Sequence, residues 1–249
     1  MKRKIVFGLL PAALMLLIGI TCRASEGQGV PPDEALQRLI DGNARFLSGQ
    51  MQHPNTGKER VTETAAGQHP FVAMLGCSDS RVPVETLFDQ GIGDIFTIRV
   101  AGNVADTDEI GSLEYAVEHL GVRLIVVLGH TRCGAVTAVV TGAHVAGSLP
   151  GLLDNIKPAA AEAVRDNPKL KGAALVPKTI NYNVWRSVED MLRKSAVLRE
   201  AVREGKVKVM GVLYHVESGG IEVLGEHFRQ DQLSGKKAEK KEAGKSKKH

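Results

Sequence analysis

Two runs of five uninterrupted apolar residues, Phe71–Leu75 and Leu124–Leu128, each pass straight into a glycine and then into a residue type able to bind a metal, Cys77 and His130. A strand of that kind has no polar face to offer water, so both of its faces must be covered, as in the centre of a parallel sheet. Residues 95–100 and 207–213 read as further strands, and 221–224, after Gly219-Gly220, as an edge strand. Helical patterns lie between them at 109–120, 134–141, 152–166 and 178–203, the last with Trp185, Val188, Leu192 and Leu198 on one stripe. Ahead of them, Ala35, Leu36, Leu39, Ile40, Ala44 and Leu47 recur at helical spacing over 33–48, with more apolar surface than a peripheral helix needs. Residues 50–70, rich in Gly, Pro, Asn and Thr, read as loop. Strands alternating with helices predict an α/β fold. It has a mainly parallel central sheet flanked by helices, an N-terminal helical arm and an antiparallel edge strand. The length suits one domain with short appendages, and there are no repeats.

The two ends differ from this middle. Lys2, Arg3 and Lys4 precede an apolar run to about Ile20, and small residues surround Ala24-Ser25. That is the order of a secretory signal, with 1–24 removed. Membrane contact is then expected only through that segment if it stays uncleaved. From Lys236 to His249 the chain holds seven lysines and two glutamates and nothing that packs, a tail expected to be disordered. The formal charge of +4 belongs to these ends, and residues 25–235 carry about −5. With a single Trp185 and few aromatics, neither charge nor stacking surface points to nucleic acid. The folded domain is therefore placed at 25–235.

Cleavage would remove Cys22 and leave Cys77 and Cys133 as the mature cysteines. They stand in Cys77-Ser78-Asp79-Ser80-Arg81 and His130-Thr131-Arg132-Cys133, each just past a predicted strand. Alone, a buried cysteine is commonly an inert small hydrophobe, and His-x-x-Cys arises by chance. Together they supply two thiolates and an imidazole, the ligand set Zn²⁺ prefers, and stop at three. A structural zinc site closes its tetrahedron with protein, whereas a catalytic one keeps a corner for water. Two thiolates lower the Lewis acidity of the metal, yet bound water can still reach a pKa of ~7–8. Asp79 is placed to orient the hydroxide, and Arg81 to pin Asp79 through a bidentate pair. Freed from Arg81, Asp79 could take the open zinc position and act as a switch. The plainer reading of Asp79 and Arg81 is a loop salt bridge. In an oxidising compartment a Cys77–Cys133 disulfide competes with zinc. The remaining histidines, His53, His69, His119, His144, His215, His227 and His249, lack partners at ligand spacing.

The two ligand segments resemble those of the β-class carbonic anhydrases, and the likeness extends beyond them. Gly42-Asn43-Ala44-Arg45-Phe46, the span from Arg99 to Asn103, and Ser112 to Ala116 match further motifs of that family, so that 33–226 is covered. The resemblance implies Cys77, His130 and Cys133 as zinc ligands and Asp79–Arg81 as a catalytic dyad. From the plant-like branch it implies Gln68, Phe96, Tyr115 and Gly134 in the substrate pocket. Read without it, Gln68 is a loop residue, and Phe96 and Tyr115 are core. Ala101 departs from the larger aliphatic residue common in that branch, and Tyr214-His215 from a common Tyr-Asp.

The resemblance further implies reversible hydration of CO₂ to bicarbonate and a proton by zinc-bound hydroxide, in a homodimer or tetramer with active sites at the subunit interface. The signal-like start places this expected enzyme in a bacterial periplasm, which finding the mature protein in the cytoplasm would refute. Two other functions fit the same residues. One is a hydrolase of carbon disulfide or carbonyl sulfide on the same metal. The other is a non-catalytic module with a Cys77–Cys133 disulfide, which would show no titratable thiols.

Overall fold

A computed structural model of the protein describes residues 29–236. The predicted signal, 1–24, and the tail beyond Lys236 lie outside the described residues. In chain order the elements are α1 (Pro32–Ser48), α2 (Lys58–Thr64), β1 (Val72–Gly76), α3 (Val84–Leu87), β2 (Ile95–Arg99), α4 (Thr107–Glu118), β3 (Leu124–His130), α5 (Gly134–Thr141), α6 (Leu149–Asp154), α7 (Lys157–Asp166), α8 (Val176–Lys194), α9 (Ala196–Arg203), β4 (Lys208–Tyr214), β5 (Ile221–Gly225) and α10 (Gln230–Ser234). A short 3-10 turn, Ala101–Asn103, follows β2.

The five strands form one sheet in the order β2-β1-β3-β4-β5. β1 to β4 run parallel and β5 pairs antiparallel with β4. The apolar runs make the central strands, and their alternation divides the core in two. Ala73, Leu75, Ile125, Val127 and Val209 pack with α4, α8 and α9 on one face. Val72, Met74, Leu124, Val126, Leu128, Met210 and Val212 pack with α1 and α3 on the other. Every residue of β1 and β3 is buried, the condition that excluded polar residues from both runs.

Glycines set two close approaches. A Cβ on Gly129 would stand 2.4 Å from Val184 Cγ2, and one on Gly211 would stand 2.8 Å from the Trp185 ring, so their absence lets α8 lie tight across β3 and β4. The Gly-Asn-x-Arg motif of α1 does similar work on the other face. A Cβ on Gly42 would lie 1.8 Å from the Phe88 carbonyl oxygen. Beside it, Asn43 Nδ2 donates to the carbonyls of Leu87 (3.1 Å) and Gly219 (3.0 Å), and Arg45 Nε donates to Asp89 at 2.6 Å. These bonds seat α1 on its own chain through Ala35 and Leu39, and Leu47 is left half exposed.

Several expected boundaries move. The helix expected over 178–203 is two: Ser195 leaves helical geometry and N-caps α9, its Oγ accepting from Leu198 N–H at 3.0 Å. The helix expected over 152–166 is also two, and Pro158, which has no N–H to donate, opens the first turn of α7. Helix α4 starts two residues earlier than expected, at a capping box in which Glu109 accepts from Asp106 N–H at 3.0 Å. Residues 50–70 are not all loop: α2 lies within them, but it buries no side chain and so carries no apolar stripe.

Candidate metal centre

The strand order reverses between β1 and β3, which makes a crevice at their carboxyl ends, the usual ligand position in open α/β sheets. Gly76 pairs with Leu128, so Cys77 leaves β1 level with the end of β3, where His130 is the last residue. Cys133 follows as the N-cap of α5. Cys77, His130 and Cys133 are buried, and one ligand atom from each lies within 4.8 Å of the others. Both cysteines are free thiols. Val104, Val136, Leu153, Ile156, Ile180 and Leu213 pack around the two sulfurs and make an apolar shell.

The polar contacts fix what each ligand atom can do. His130 Nδ1 lies 2.9 Å from the Thr131 carbonyl oxygen. That oxygen only accepts, so Nδ1 is the donor, and in the neutral ring the lone pair falls to Nε2. Nε2 is buried and has no hydrogen-bond partner among the described residues. Gly102 N–H donates to Cys77 Sγ at 3.2 Å. The Cys133 S–H, hydrogen-bonded to Cys77 and followed in effect by His130 and the Gly102 amide, pulls the Cys77 thiol down to about 4 against the opposing effect of burial. The same contact with Cys77, with burial, pushes Cys133 up. The two sulfurs are thus hydrogen-bonded to each other beside the buried imidazole. A thiophilic divalent cation fits such a donor set, displacing the proton and taking the lone pair.

Asp79 and Arg81 stand at the mouth. Arg81 donates from its backbone N–H and from Nε to Asp79 Oδ1 (3.0 and 2.9 Å), and from Nη2 to Oδ2 at 2.7 Å. The guanidinium holds the Asp79 carboxyl well below the usual carboxylate range. Asp79 Oδ2 lies 3.9 Å from His130 Nε2, so the carboxylate faces the centre while resting on Arg81. Arg81 Nη2 also donates to the Arg132 carbonyl at 3.1 Å, which ties the two ligand segments together. Arg132 has φ +54°, a left-handed conformation that costs a non-glycine residue about 1 kcal/mol.

Three side chains brace these loops, none of them assigned that role from the sequence. Arg99 at the end of β2 donates to the carbonyls of Cys77 (2.9 Å) and Asp79 (2.6 Å). Glu217, in the turn between β4 and β5, accepts from Thr131 Oγ1 at 2.6 Å and Arg132 Nε at 2.5 Å. Those two donors, the hydroxyl first, lower its carboxyl to about 2. Asn183 on α8 donates to the Gly102 carbonyl at 2.7 Å. Of these, Arg99 was visible in the sequence as the first residue of the Arg99 to Asn103 motif, and Asn183 only as a polar residue on the buried side of an amphipathic helix.

The substrate-pocket residues divide. Gly134 opens α5 directly after Cys133, with open space where a Cβ would be. Gln68 is exposed ahead of β1. Phe96 on β2 and Tyr115 on α4 place their rings 6.1 Å apart, and Tyr115 lies 5.1 Å from the His119 ring with 46 % of its surface exposed. No hydrogen bond or ring contact joins Gln68, Phe96 or Tyr115 to the ligand triad among the described residues.

Comparison with known proteins decides the family. The family model described as carbonic anhydrase matches residues 72–221, more than half of the chain. The chain belongs to the β-carbonic anhydrases. Carbonic anhydrase 2 of Mycobacterium tuberculosis is 38 % identical over 202 residues, 79 % of this chain and 94 % of that protein. A β-carbonic anhydrase of Aspergillus fumigatus has a similar solved structure, with a TM-score of 0.65 at 30 % identity over 82 % of this chain and 95 % of that one. A structure from a study of two tetrameric β-carbonic anhydrases of Sordaria macrospora matches with a TM-score of 0.62 at 26 % identity, over 77 % and 98 % of the two chains. As a β-carbonic anhydrase the chain is a member of a metalloenzyme family, and Cys77, His130 and Cys133 are the group able to hold its metal.

Proposed function

We propose that this β-carbonic anhydrase catalyses the reversible hydration of CO₂ to bicarbonate and a proton, with zinc held by Cys77, His130 and Cys133. The buried, unpartnered His130 Nε2 facing two free thiols carries the reading. Zinc bound there supplies Lewis acidity and lets water act as a nucleophile near neutral pH. The chain's residues do the rest. The apolar shell of Val104, Val136 and Leu153 favours a small uncharged substrate over bulk water. Asp79, kept ionised by Arg81, accepts the hydrogen of the attacking oxygen and so points its lone pair at the substrate. Arg81 holds that carboxylate off the metal position.

Gln68, Phe96 and Tyr115 make no hydrogen bond or ring contact with the ligand triad of their own chain among the described residues. The exposed Tyr115, its ring beside the half-buried Phe96 of the edge strand β2, fits with Gln68 the contribution of a second copy, so the working unit is a dimer or a pair of dimers. Sedimentation should then give no less than twice the chain mass. A monomer with full activity would exclude this arrangement.

Stopped-flow CO₂ hydration by the zinc-loaded protein, from mildly acidic to mildly alkaline pH, tests the activity. Rapid turnover that a chelator abolishes and zinc restores is the expected result. An inert zinc-loaded protein, or one active only on carbon disulfide or carbonyl sulfide, would overturn it.

A further inference from the structure

The helix α8 crosses the sheet close to the metal centre, and its buried stripe is not wholly apolar. Asn183 and Ser187, one helical turn apart, are each 1 % exposed. Both point their polar groups at the turn Ala101–Asn103. Asn183 Nδ2 donates to the Gly102 carbonyl at 2.7 Å, and Ser187 Oγ donates to the Asn103 carbonyl at 2.8 Å. The turn is unusual in its own right. Gly102 has φ +76° and Asn103 φ +46°, two successive left-handed residues of which the second is not glycine. That geometry aims the Gly102 N–H at Cys77 Sγ, 3.2 Å away.

Burying Asn183 works against stability. Its Oδ1 has no hydrogen-bond partner among the described residues, a recurring cost that an apolar side chain on the same stripe would avoid. Neighbouring positions of α8, Val184, Val188 and Met191, are filled in the apolar way. Asn183 and Ser187 are spent instead on two carbonyls of one strained turn, 81 and 84 residues away in sequence. Among the described residues, the polar group of that turn bonded to a ligand atom is the Gly102 amide. A hydrogen bond to a coordinating thiolate withdraws electron density from sulfur and fixes its direction, and such outer contacts set the electronic character of a metal site.

We infer that Asn183 and Ser187 are positioning residues: together they hold the 101–103 turn so that the Gly102 amide stays bonded to the Cys77 sulfur, tuning how strongly that thiolate donates to the metal. The inference rests on the zinc reading of the site and goes beyond it by assigning α8 a part in the chemistry. Gly102 itself suits the turn, since its φ of +76° strains any other residue and a Cβ would press on Ile156 Cδ1 at 2.7 Å.

Cobalt(II) in place of zinc tests this without any turnover, because a thiolate bound to cobalt gives a sulfur-to-metal charge-transfer band whose energy follows the donor strength of sulfur. Full-length wild type, Asn183→Ala and Ser187→Ala would be loaded with cobalt. Their spectra, the rate of cobalt loss to a chelator and the thermal melt of the metal-free forms would then be compared. Ser187→Ala deletes a single oxygen and keeps the test open if the larger deletion does not fold. In both variants the band should move to longer wavelength as sulfur becomes the stronger donor, more in Asn183→Ala. Cobalt retention should still weaken by about 10-fold, the lower end of the usual outer-contact range, because the sulfur loses its fixed direction and that outweighs its stronger donation. Folded variants whose bands coincide with wild type would overturn the inference and leave Asn183 and Ser187 as packing residues. Wild-type protein that takes up cobalt with no thiolate band would overturn the metal-centre reading itself, and the inference with it.

Discussion

Replacing Cys133 by alanine is expected to lower CO₂ hydration by roughly 10³-fold or more. Lewis-acid activation of water supplies several kcal/mol at the transition state, and each 1.36 kcal/mol is about tenfold in rate. Zinc should restore chelated wild type and leave the variant inactive, and metal analysis should show that the variant does not retain it. Residual activity within tenfold of wild type would remove Cys133 from the ligand set. The pair of sulfurs adds a signature to the same experiment. With Cys77 lowered and Cys133 raised by their mutual contact, the metal-free protein is expected to keep one thiolate and one thiol at pH 7. Binding of zinc should therefore release about one proton from the cysteines, where two ordinary thiols would release nearly two. Calorimetry in buffers of different ionisation enthalpy reads this number directly.

The second large effect belongs to the mouth of the site. Asp79→Asn should lose about 10²- to 10³-fold in turnover, because the amide presents a donor where the attacking oxygen needs an acceptor. Arg81→Ala should lose activity in a different way. Without the three hydrogen bonds from Arg81, Asp79 is free to move the short distance toward His130 Nε2 and the metal position. The pH profile separates the two cases. In the wild type Arg81 depresses the Asp79 pKa, so the carboxylate is ionised above its unfolded value of about 4 and the pair is lost only as pH falls below that. Protonation of Asp79 therefore does not shape the wild-type profile near neutrality. Arg81→Ala should become active toward alkaline pH, where hydroxide competes better for the metal, while Asp79→Asn should be depressed at every pH. Matching profiles for the two variants would count against Asp79 as a latent ligand.

Arg81 makes these losses larger than those of an ordinary exposed salt bridge, which is worth about 0–1 kcal/mol. Its guanidinium binds Asp79 and the Arg132 carbonyl together, so one side chain sets the distance between the loop after β1 and the loop after β3. Glu217 then holds that second loop from the far side through Thr131 and Arg132. The left-handed Arg132 is thus held from two directions, which is how a strained residue persists at a working site.

The sequence by itself determined the sheet, the helices that cover it and the donors of the metal centre. Two unbroken apolar runs leave no choice but central strands, and the residues after them inherit the carboxyl end of the sheet as a matter of chain connectivity. Asp79 and Arg81 were legible for the same reason, since their bonds span two residues of one loop. The breaks at Ser195 and Pro158 were written in residues known to cap and start helices, but an amphipathic stripe that continues across a break hides it. Tertiary structure alone decided what braces the ligands. Asn183, Ser187, Glu217 and Arg99 reach their targets across 20 to 86 residues of sequence. A single hydrogen bond between distant segments leaves no periodicity and no local composition for a reader of the chain to find. Only the fold, by bringing α8 and the β4–β5 turn against the ends of β1 and β3, gives those residues something to hold.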